Sequence, residues 1–321
     1  MLEISLKKPS TKKIREDILY DLIIVGAGPA GFTSAIYASR SLMKTVIIDS
    51  GPAGGLASTT EFLENYPGFP DGISGVELMS LFQKQAERFG AKLSDNTLIK
   101  SVDFSGNEKI VVTDKGTYHS KTVIIATGTR PKELGIKGEK KFKGRGISYC
   151  ATCDAPLFKN KDIVVIGCGS SGIQEGLYLL QFVKSVTFVE FLPYMTAEPI
   201  LQERIKQKDN VKFLLNHKVV EIMGNEKIEA VKVEDRKSEK ENIIPTEGIF
   251  IYVGLIPNSE LFNVEKDQKG YIKADDLLKT NVEGIFVAGD VRKKHLRQIA
   301  TAVGDGAVAA FSAKHYLESK S

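Results

Sequence analysis

The chain has 321 residues, of which 42% are hydrophobic and 26% charged, and its formal net charge is only +4. That balance is typical of a soluble globular protein long enough for two domains, and it carries no nucleic-acid signal. No apolar run approaches the roughly 18 residues of a membrane span, no secretory signal pattern precedes the first strand, and three cysteines do not build a secreted disulfide framework. A cytoplasmic protein binding neither membrane nor nucleic acid is expected.

Residues 1–19 are polar and lack a sustained period. Lys7, Lys8, Lys12 and Lys13 are diluted by Glu3, Glu16 and Asp17, so a solvated N-terminal extension is expected rather than a basic arm. An apolar run over 20–25 reads as a buried parallel strand. It enters Gly26-Ala27-Gly28-Pro29-Ala30-Gly31, and a helix of small and apolar residues follows over 32–39. In such a strand–turn–helix, the first glycine permits the tight turn and the second lets backbone approach a pyrophosphate. The third lets helix and strand pack closely, and the helix N-terminus offers unpaired N–H groups to phosphate. A second strand over 45–48 ends at Asp49, close to the distance beyond Gly26 at which an acid reaches a ribose hydroxyl. The bland alternative is a packing loop without a ligand.

Gly51 to Gly55 marks a loop, Asn65-Tyr66-Pro67-Gly68 a turn, and 74–89 a helix. Residues 91–125 read as a small β-meander closing on a buried strand over 123–125, with Ala126-Thr127-Gly128 after it. A Lys/Gly-rich connection over 137–146 is the first candidate boundary. Then comes Cys150-Ala151-Thr152-Cys153-Asp154. Two thiols at this spacing can close into a disulfide and reopen, and an acid beside the second could protonate a leaving thiolate. Half a zinc site is the alternative, but the other cysteine is Cys168, and no Cys or His pair at ligand spacing completes four ligands.

The opening pattern now repeats: a strand over 163–166, Gly167-Cys168-Gly169-Ser170-Ser171-Gly172, a helix through about 181, and a strand over 186–189. That strand ends at Glu190, which follows Gly167 at the same interval as Asp49 follows Gly26. Two such units point to two dinucleotide-binding domains in one chain. A second meander over 210–248, a strand over 249–254, a crossing at Leu255-Ile256-Pro257-Asn258, and a strand capped by Gly289-Asp290 follow. A helix over about 298–316 ends the pattern. His119, His217, His295 and His315 are scattered and read as surface or structural residues.

Taken together, GAGPAG, NYPG, ATG, CATCD, the second glycine loop, GLIPN and VAGDV with Arg297-Gln298 resemble the low-molecular-weight thioredoxin reductases, from about residue 20 to the C-terminus. The resemblance implies an α/β fold of two Rossmann-like domains (three-layer ββα), the second inserted into the first. An FAD domain would comprise 1–132 and 253–321, and a nicotinamide-type domain with the CxxC would comprise 133–252. It also implies a homodimer. FAD would contact Gly26, Gly28, Pro29, Ala30, Gly31, Asp49, Gly55, Asn65, Thr127, Gly128, Gly289, Asp290, Arg297 and Gln298. The nicotinamide nucleotide would contact Gly167, Gly169, Ser170, Ser171, Gly172 and Glu190. Cys153 would face the flavin, Cys150 would attack thioredoxin or a similar small redox protein, and Asp154 would donate the proton. The inserted domain would rotate about hinges near 129–132 and 254–257 to bring one dithiol to both partners.

Two departures bear on chemistry. The family's Gly-Gly-Gln near the flavin is Gly54-Gly55-Leu56 here. The His-Arg-Arg-x-x-x-Arg run of NADPH-using members is replaced by residues 190–196, which carry no positive charge. A 2′-phosphate wants Arg or Lys, whereas Glu190 suits a free 2′-hydroxyl. NADH, or weak discrimination between NADH and NADPH, is therefore expected; ferredoxin is the alternative donor. A flavin-dependent dithiol oxidase and a redox-sensing binding module are the competing functions.

Overall fold

The structure, a computed structural model, describes residues 18–320. Nearly all of the expected N-terminal extension lies outside the described residues.

Two sheets organise the chain, the second parallel throughout and the first parallel apart from the antiparallel strands Lys109–Thr113 and Ile99–Asp103 on one side. The first runs Lys92–Ser94, Thr45–Ile48, Leu19–Val25, Thr117–Ile125, and Ile285–Val287 joins it from the far end of the sequence. Its strands read as continuous apolar runs because both faces are covered. On one face, the helices Pro29–Arg40 and Ile299–Lys320 pack Phe32, Ala35, Ala309 and Ala313 against Leu22, Ile24, Ile124 and Phe286. The long helix is rich in small residues for a steric reason. It approaches its neighbour so closely that a Cβ on Gly306 would lie 2.4 Å from the Ala30 carbonyl oxygen. The other face buries Ile23, Val25, Val123 and Ile125 with Phe104 and Phe262.

The second sheet, Val211–Leu214, Ser185–Val189, Asp162–Ile166, Gly248–Ile251 and Ile147–Ser148, is also parallel. A three-stranded antiparallel sheet, His217–Met223, Ala230–Asp235 and Glu241–Pro245, flanks it. The two crossings between the sheets, Thr129–Pro131 and Leu255–Pro257, pair antiparallel as one short ribbon. The Lys132 N–H donates to the Gly254 carbonyl, extending the stitch.

Several elements differ from their sequence reading. The meander expected over 91–125 is present as Ile99–Asp103, Lys109–Thr113 and the start of Thr117–Ile125, paired antiparallel, but it is continuous with the first sheet. Lys92–Ser94 is an edge strand of that sheet, and Thr117–Ile125 is a single nine-residue strand that pairs with Leu19–Val25 on one side and with two strands on the other. Its first half pairs with Lys109–Thr113 and its second with Ile285–Val287. In the same way Val211–Leu214 belongs to the second parallel sheet rather than to the meander after it. The supposed connection over 137–146 holds a one-turn helix, Glu139–Phe142, with Phe142 in the core. Helix Pro199–Lys206 went unread; it opens on a proline, whose fixed φ suits a first helical turn. The helix expected over 74–89 is Gly75–Arg88, where the Ser74 hydroxyl accepts from the Glu77 N–H at 3.1 Å. No helix among the described residues is long and apolar enough to cross a membrane.

Candidate active site

The two glycine loops are near copies. Gly26 and Gly167 take φ of +112° and +107°, and a Cβ on either would sit 2.3 Å from a carbonyl oxygen of the adjoining strand end, Ala126 or Tyr252. Gly31 and Gly172 let each helix lie against its turn, since a Cβ there would meet the Gly26 or Gly167 oxygen at 1.9 and 2.1 Å. Gly28 has open space instead, as backbone facing a ligand should. The acids also match. Asp49 accepts from the Ala27 N–H at 2.6 Å and the Gly51 N–H at 2.9 Å; Glu190 accepts from Cys168 at 2.6 Å and Leu192 at 2.9 Å. Each carboxylate ties the end of its second strand to the glycine turn, so it supports the loop before any ribose is considered. Burial and the neighbouring Glu190 push the Cys168 thiol up to about 12, which keeps it unreactive.

One cavity of about 1520 Å³ connects both loops, larger than the space a single drug-sized ligand needs. Every residue expected at either dinucleotide lines it except Gly31, whose role is packing. Leu56, standing where a glutamine was expected, is on the wall too. Asn65 and Gln298, distant in sequence, meet at 3.2 Å. The Thr127 hydroxyl donates to the Asn258 carbonyl at 2.6 Å, tying the Ala126-Thr127-Gly128 turn to the second crossing. Arg297 lies over the Tyr271 ring at 3.9 Å.

Asp290 tests whether this half fits a flavin nucleotide. Its Oδ1 is buried and makes no hydrogen bond, the Lys294 ammonium standing 3.4 Å away as a long ion pair; burial, only partly offset by Lys294 and Arg297, raises its carboxyl. A buried acceptor facing a cavity calls for a donor from outside the chain, such as a polyol hydroxyl. Behind it, Asp305 accepts from the Gly289 N–H at 3.0 Å, from Arg292 at 2.8 and 2.9 Å, and from Lys294 at 3.0 Å. Burial alone would raise Asp305, but these cations outweigh it and hold its carboxyl below the usual range. The Gly-Asp cap is thus fixed from behind, and its own carboxylate, held only by the long Lys294 contact, has room for a donor in front. The residues present fit FAD.

Cys150 and Cys153 form a disulfide. The pair straddles a one-turn helix, Ala151–Asp154, with Cys150 as its N-cap. Ala151 is fully buried, and its N–H donates to the Tyr252 hydroxyl at 3.2 Å. Cys150 lines the cavity; Cys153 is exposed and, like Asp154, is not on the cavity wall. This arrangement therefore turns Cys150 inward and Cys153 outward.

Sequence reasoning missed a second layer. Glu175, on helix Ser170–Leu179, is buried against the CxxC turn. His217 and Lys218 reach the cavity wall near Glu190, and the Arg236 guanidinium lies 3.6 Å from the Phe191 ring centre. These residues come from a hairpin well beyond Glu190 in the chain, so no local spacing announces them. His217, read as a surface or structural residue, is one of them.

The chain's relatives bear on these loops and this disulfide. It is 44% identical to the thioredoxin reductase of Bacillus subtilis over 94% of its own length and 96% of that protein's. It superposes on the crystal structure of Lactococcus lactis thioredoxin reductase in the FR conformation with a TM-score of 0.91, at 39% identity, covering 94% of this chain and 99% of that one. On the thioredoxin reductase of Streptococcus pyogenes, 42% identical and covered at 95% and 100%, the TM-score is 0.62. Two glycine loops around one cavity with a disulfide on its wall are what a pyridine nucleotide-disulphide oxidoreductase requires; the model of that family matches residues 20–306, and the chain belongs to it.

Proposed function

We propose that this enzyme reduces the disulfide of thioredoxin or a similar small redox protein through Cys150 and Cys153. FAD would be held by the Gly26–Gly31 turn, Asp49, Asp290, Arg297 and Gln298, and a nicotinamide nucleotide by the Gly167–Gly172 turn and Glu190. FAD supplies the two-electron relay between nicotinamide and sulfur. The chain's part is to bind, orient and manage protons. The observation that carries this reading is the disulfide on the wall of a cavity that also holds both glycine loops. A sensing module would need no second dinucleotide loop, and Gly167 to Glu190 reproduces the first down to the clamp made by its acid.

The domains in this reading are 1–132 with 253–321, and 133–252, working as a homodimer. Their rotation about the paired crossings is supported by one contrast: similar identities to two thioredoxin reductases give TM-scores of 0.91 and 0.62, as relatives differing in the placement of two rigid parts would. In the alternate arrangement Cys153 takes the flavin side, and Cys150 is left to attack the protein substrate.

Donor choice rests on the stretch after Glu190. Its cavity-lining side chains, Phe191, Leu192, Thr196 and Glu198, carry no positive charge, which favours NADH, and among the described residues Lys218 from the neighbouring hairpin is the one cation on that wall near Glu190. Anaerobic titration of the flavin-loaded protein with NADH, NADPH and reduced ferredoxin tests this, followed by addition of oxidised thioredoxin. Bleaching by NADH and recovery on thioredoxin addition is expected. Bleaching by ferredoxin alone would make the second loop a scaffold, and recovery with oxygen but not thioredoxin would make the protein a dithiol oxidase.

A further inference from the structure

Glu175 is the carboxyl group that the chemistry above leaves unused. It is 9% exposed, and its Oε2 is buried without a hydrogen-bond partner. It lines the cavity and packs under the dithiol turn, where the Ala151 N–H faces it. Ala151 immediately follows Cys150. The Tyr252 hydroxyl, having accepted from that same N–H, keeps its own hydrogen to donate, and the carboxyl groups acting on it are Glu175 and Asp154. Glu175, Tyr252 and Asp154 therefore form an ionisable cluster at the CxxC turn, Glu175 buried and the other two half-buried. The remaining ionisable groups around Glu175 are Tyr178 on its own helix, Glu61 across the gap, and Glu64 paired with Arg204.

We propose that Glu175 sets the charge of the dithiol: it takes up a proton as the disulfide opens, so that the turn carries one thiolate and no second negative charge. Opening breaks the Sγ–Sγ bond with two electrons from the enzyme's reductive chemistry. One sulfur keeps a pair as thiolate and the other takes a proton. A second proton enters through the cavity to the Glu175 carboxylate. Desolvation in this position already disfavours the charged form, and Glu61 adds like-charge repulsion. Opposed only in part by the Ala151 N–H, they push the carboxyl up to about 7. A new thiolate one residue from Ala151 pushes it the same way. Glu175 is thus a positioning residue, acting on the sulfurs through charge and through the Ala151–Tyr252 contact.

The test uses flavin-loaded protein reduced with a small dithiol, freed of reductant, and alkylated with iodoacetamide across pH, with mass spectrometry resolving Cys150 from Cys153. In the native protein the thiolate should titrate together with Glu175, in two coupled steps. Glu175→Gln, a neutral isostere, should give one step at lower pH, with alkylation unchanged in acid and up to roughly tenfold faster above about pH 7, where the native Glu175 is ionised and opposes the thiolate, as a coupling of about one pH unit requires. A purely structural role would survive the isostere, so an unchanged profile overturns the proposal. Infrared difference spectra of the native protein, disulfide minus dithiol, need no variant. A protonated-carboxyl band should appear on reduction, and its absence is equally fatal. The proposal rests on the disulfide chemistry assigned above, yet neither readout requires turnover with a protein substrate. A protein that failed to reduce thioredoxin would leave them standing.

Discussion

At the scale of single residues, Glu190 and Asp49 show how a specificity position can also be a scaffold. Both oxygens of Glu190 hold backbone N–H groups, at Cys168 and Leu192. Substituting arginine there would remove the clamp together with the charge, and a lost preference for NADH would mean little. Leu192 is the better position, because it lines the cavity and its backbone, not its side chain, serves the clamp. Leu192→Arg should raise the NADPH-to-NADH ratio of kcat/KM by about 10- to 100-fold, the worth of one charge-assisted contact to a phosphate. Steady-state kinetics with both donors check it, and an unmoved ratio would remove the region after Glu190 from donor selection. Glu175 makes a separate prediction through stability. Its carboxyl is raised in the folded protein, so the folded state holds a proton that the unfolded chain has released. Stability is then fully present below the ordinary carboxyl range and lost as pH rises through about 7. The loss should be on the order of 3 kcal/mol. Glu175→Gln should flatten denaturant midpoints between pH 5 and 8, whereas a native profile already flat there would contradict the burial of this group.

At the scale of elements, what could be read from sequence was what is local. Each glycine turn, its flanking strand and its acid lie in one short window, Gly26 to Asp49 and Gly167 to Glu190. The packing demands at Gly31 and Gly172 are met inside that window. The CxxC is local in the same sense. What stayed illegible depends on long-range pairing. Thr117–Ile125 does end a meander, but its second half also takes a parallel partner, Ile285–Val287, from near the other end of the chain, which no local pattern announces. Glu139 looked like part of a charged linker. It is buried because its carboxylate accepts from the Leu134 and Gly135 N–H groups at 2.9 and 2.6 Å and from the Tyr149 hydroxyl at 2.9 Å, locking the approach to the CxxC. Glu175 was hidden because nothing in a helical pattern marks which polar residue faces a distant turn. Because the glycine turns are independent copies, their damage should be separable. Gly172→Ala forces a Cβ to within 2.1 Å of the Gly167 oxygen and should cost about 1–3 kcal/mol of local packing. The expected result is a raised KM for the nicotinamide donor with flavin content unchanged. Flavin loss from Gly172→Ala would mean that the two turns are not independent.

At the scale of the whole molecule, the inserted part meets the rest of the chain in few places besides the paired crossings. The Gln174 amide donates to the Phe62 carbonyl at 2.6 Å, and Arg204 pairs with Glu64. The ion pair is half exposed on both sides and therefore worth roughly 1 kcal/mol or less. Contacts this weak suit the proposed rotation, in which this arrangement would be left and re-entered during turnover. The crossings suit it too: Thr129–Pro131 and Leu255–Pro257 are hydrogen-bonded to each other, so they would twist as one ribbon rather than as two independent linkers. Locking the present arrangement should therefore stop turnover without disturbing either nucleotide loop. Glu64→Cys with Arg204→Cys, joined by a short bis-maleimide while Cys150 and Cys153 remain oxidised, provides the lock. Flavin content and absorbance should stay native, while thioredoxin reduction falls at least tenfold. Each single-cysteine variant, treated with the same reagent, should keep its rate. If the cross-linked protein turns over at the native rate, one arrangement serves both half-reactions. The inward Cys150 and outward Cys153 would then be the working geometry, with their assigned roles exchanged.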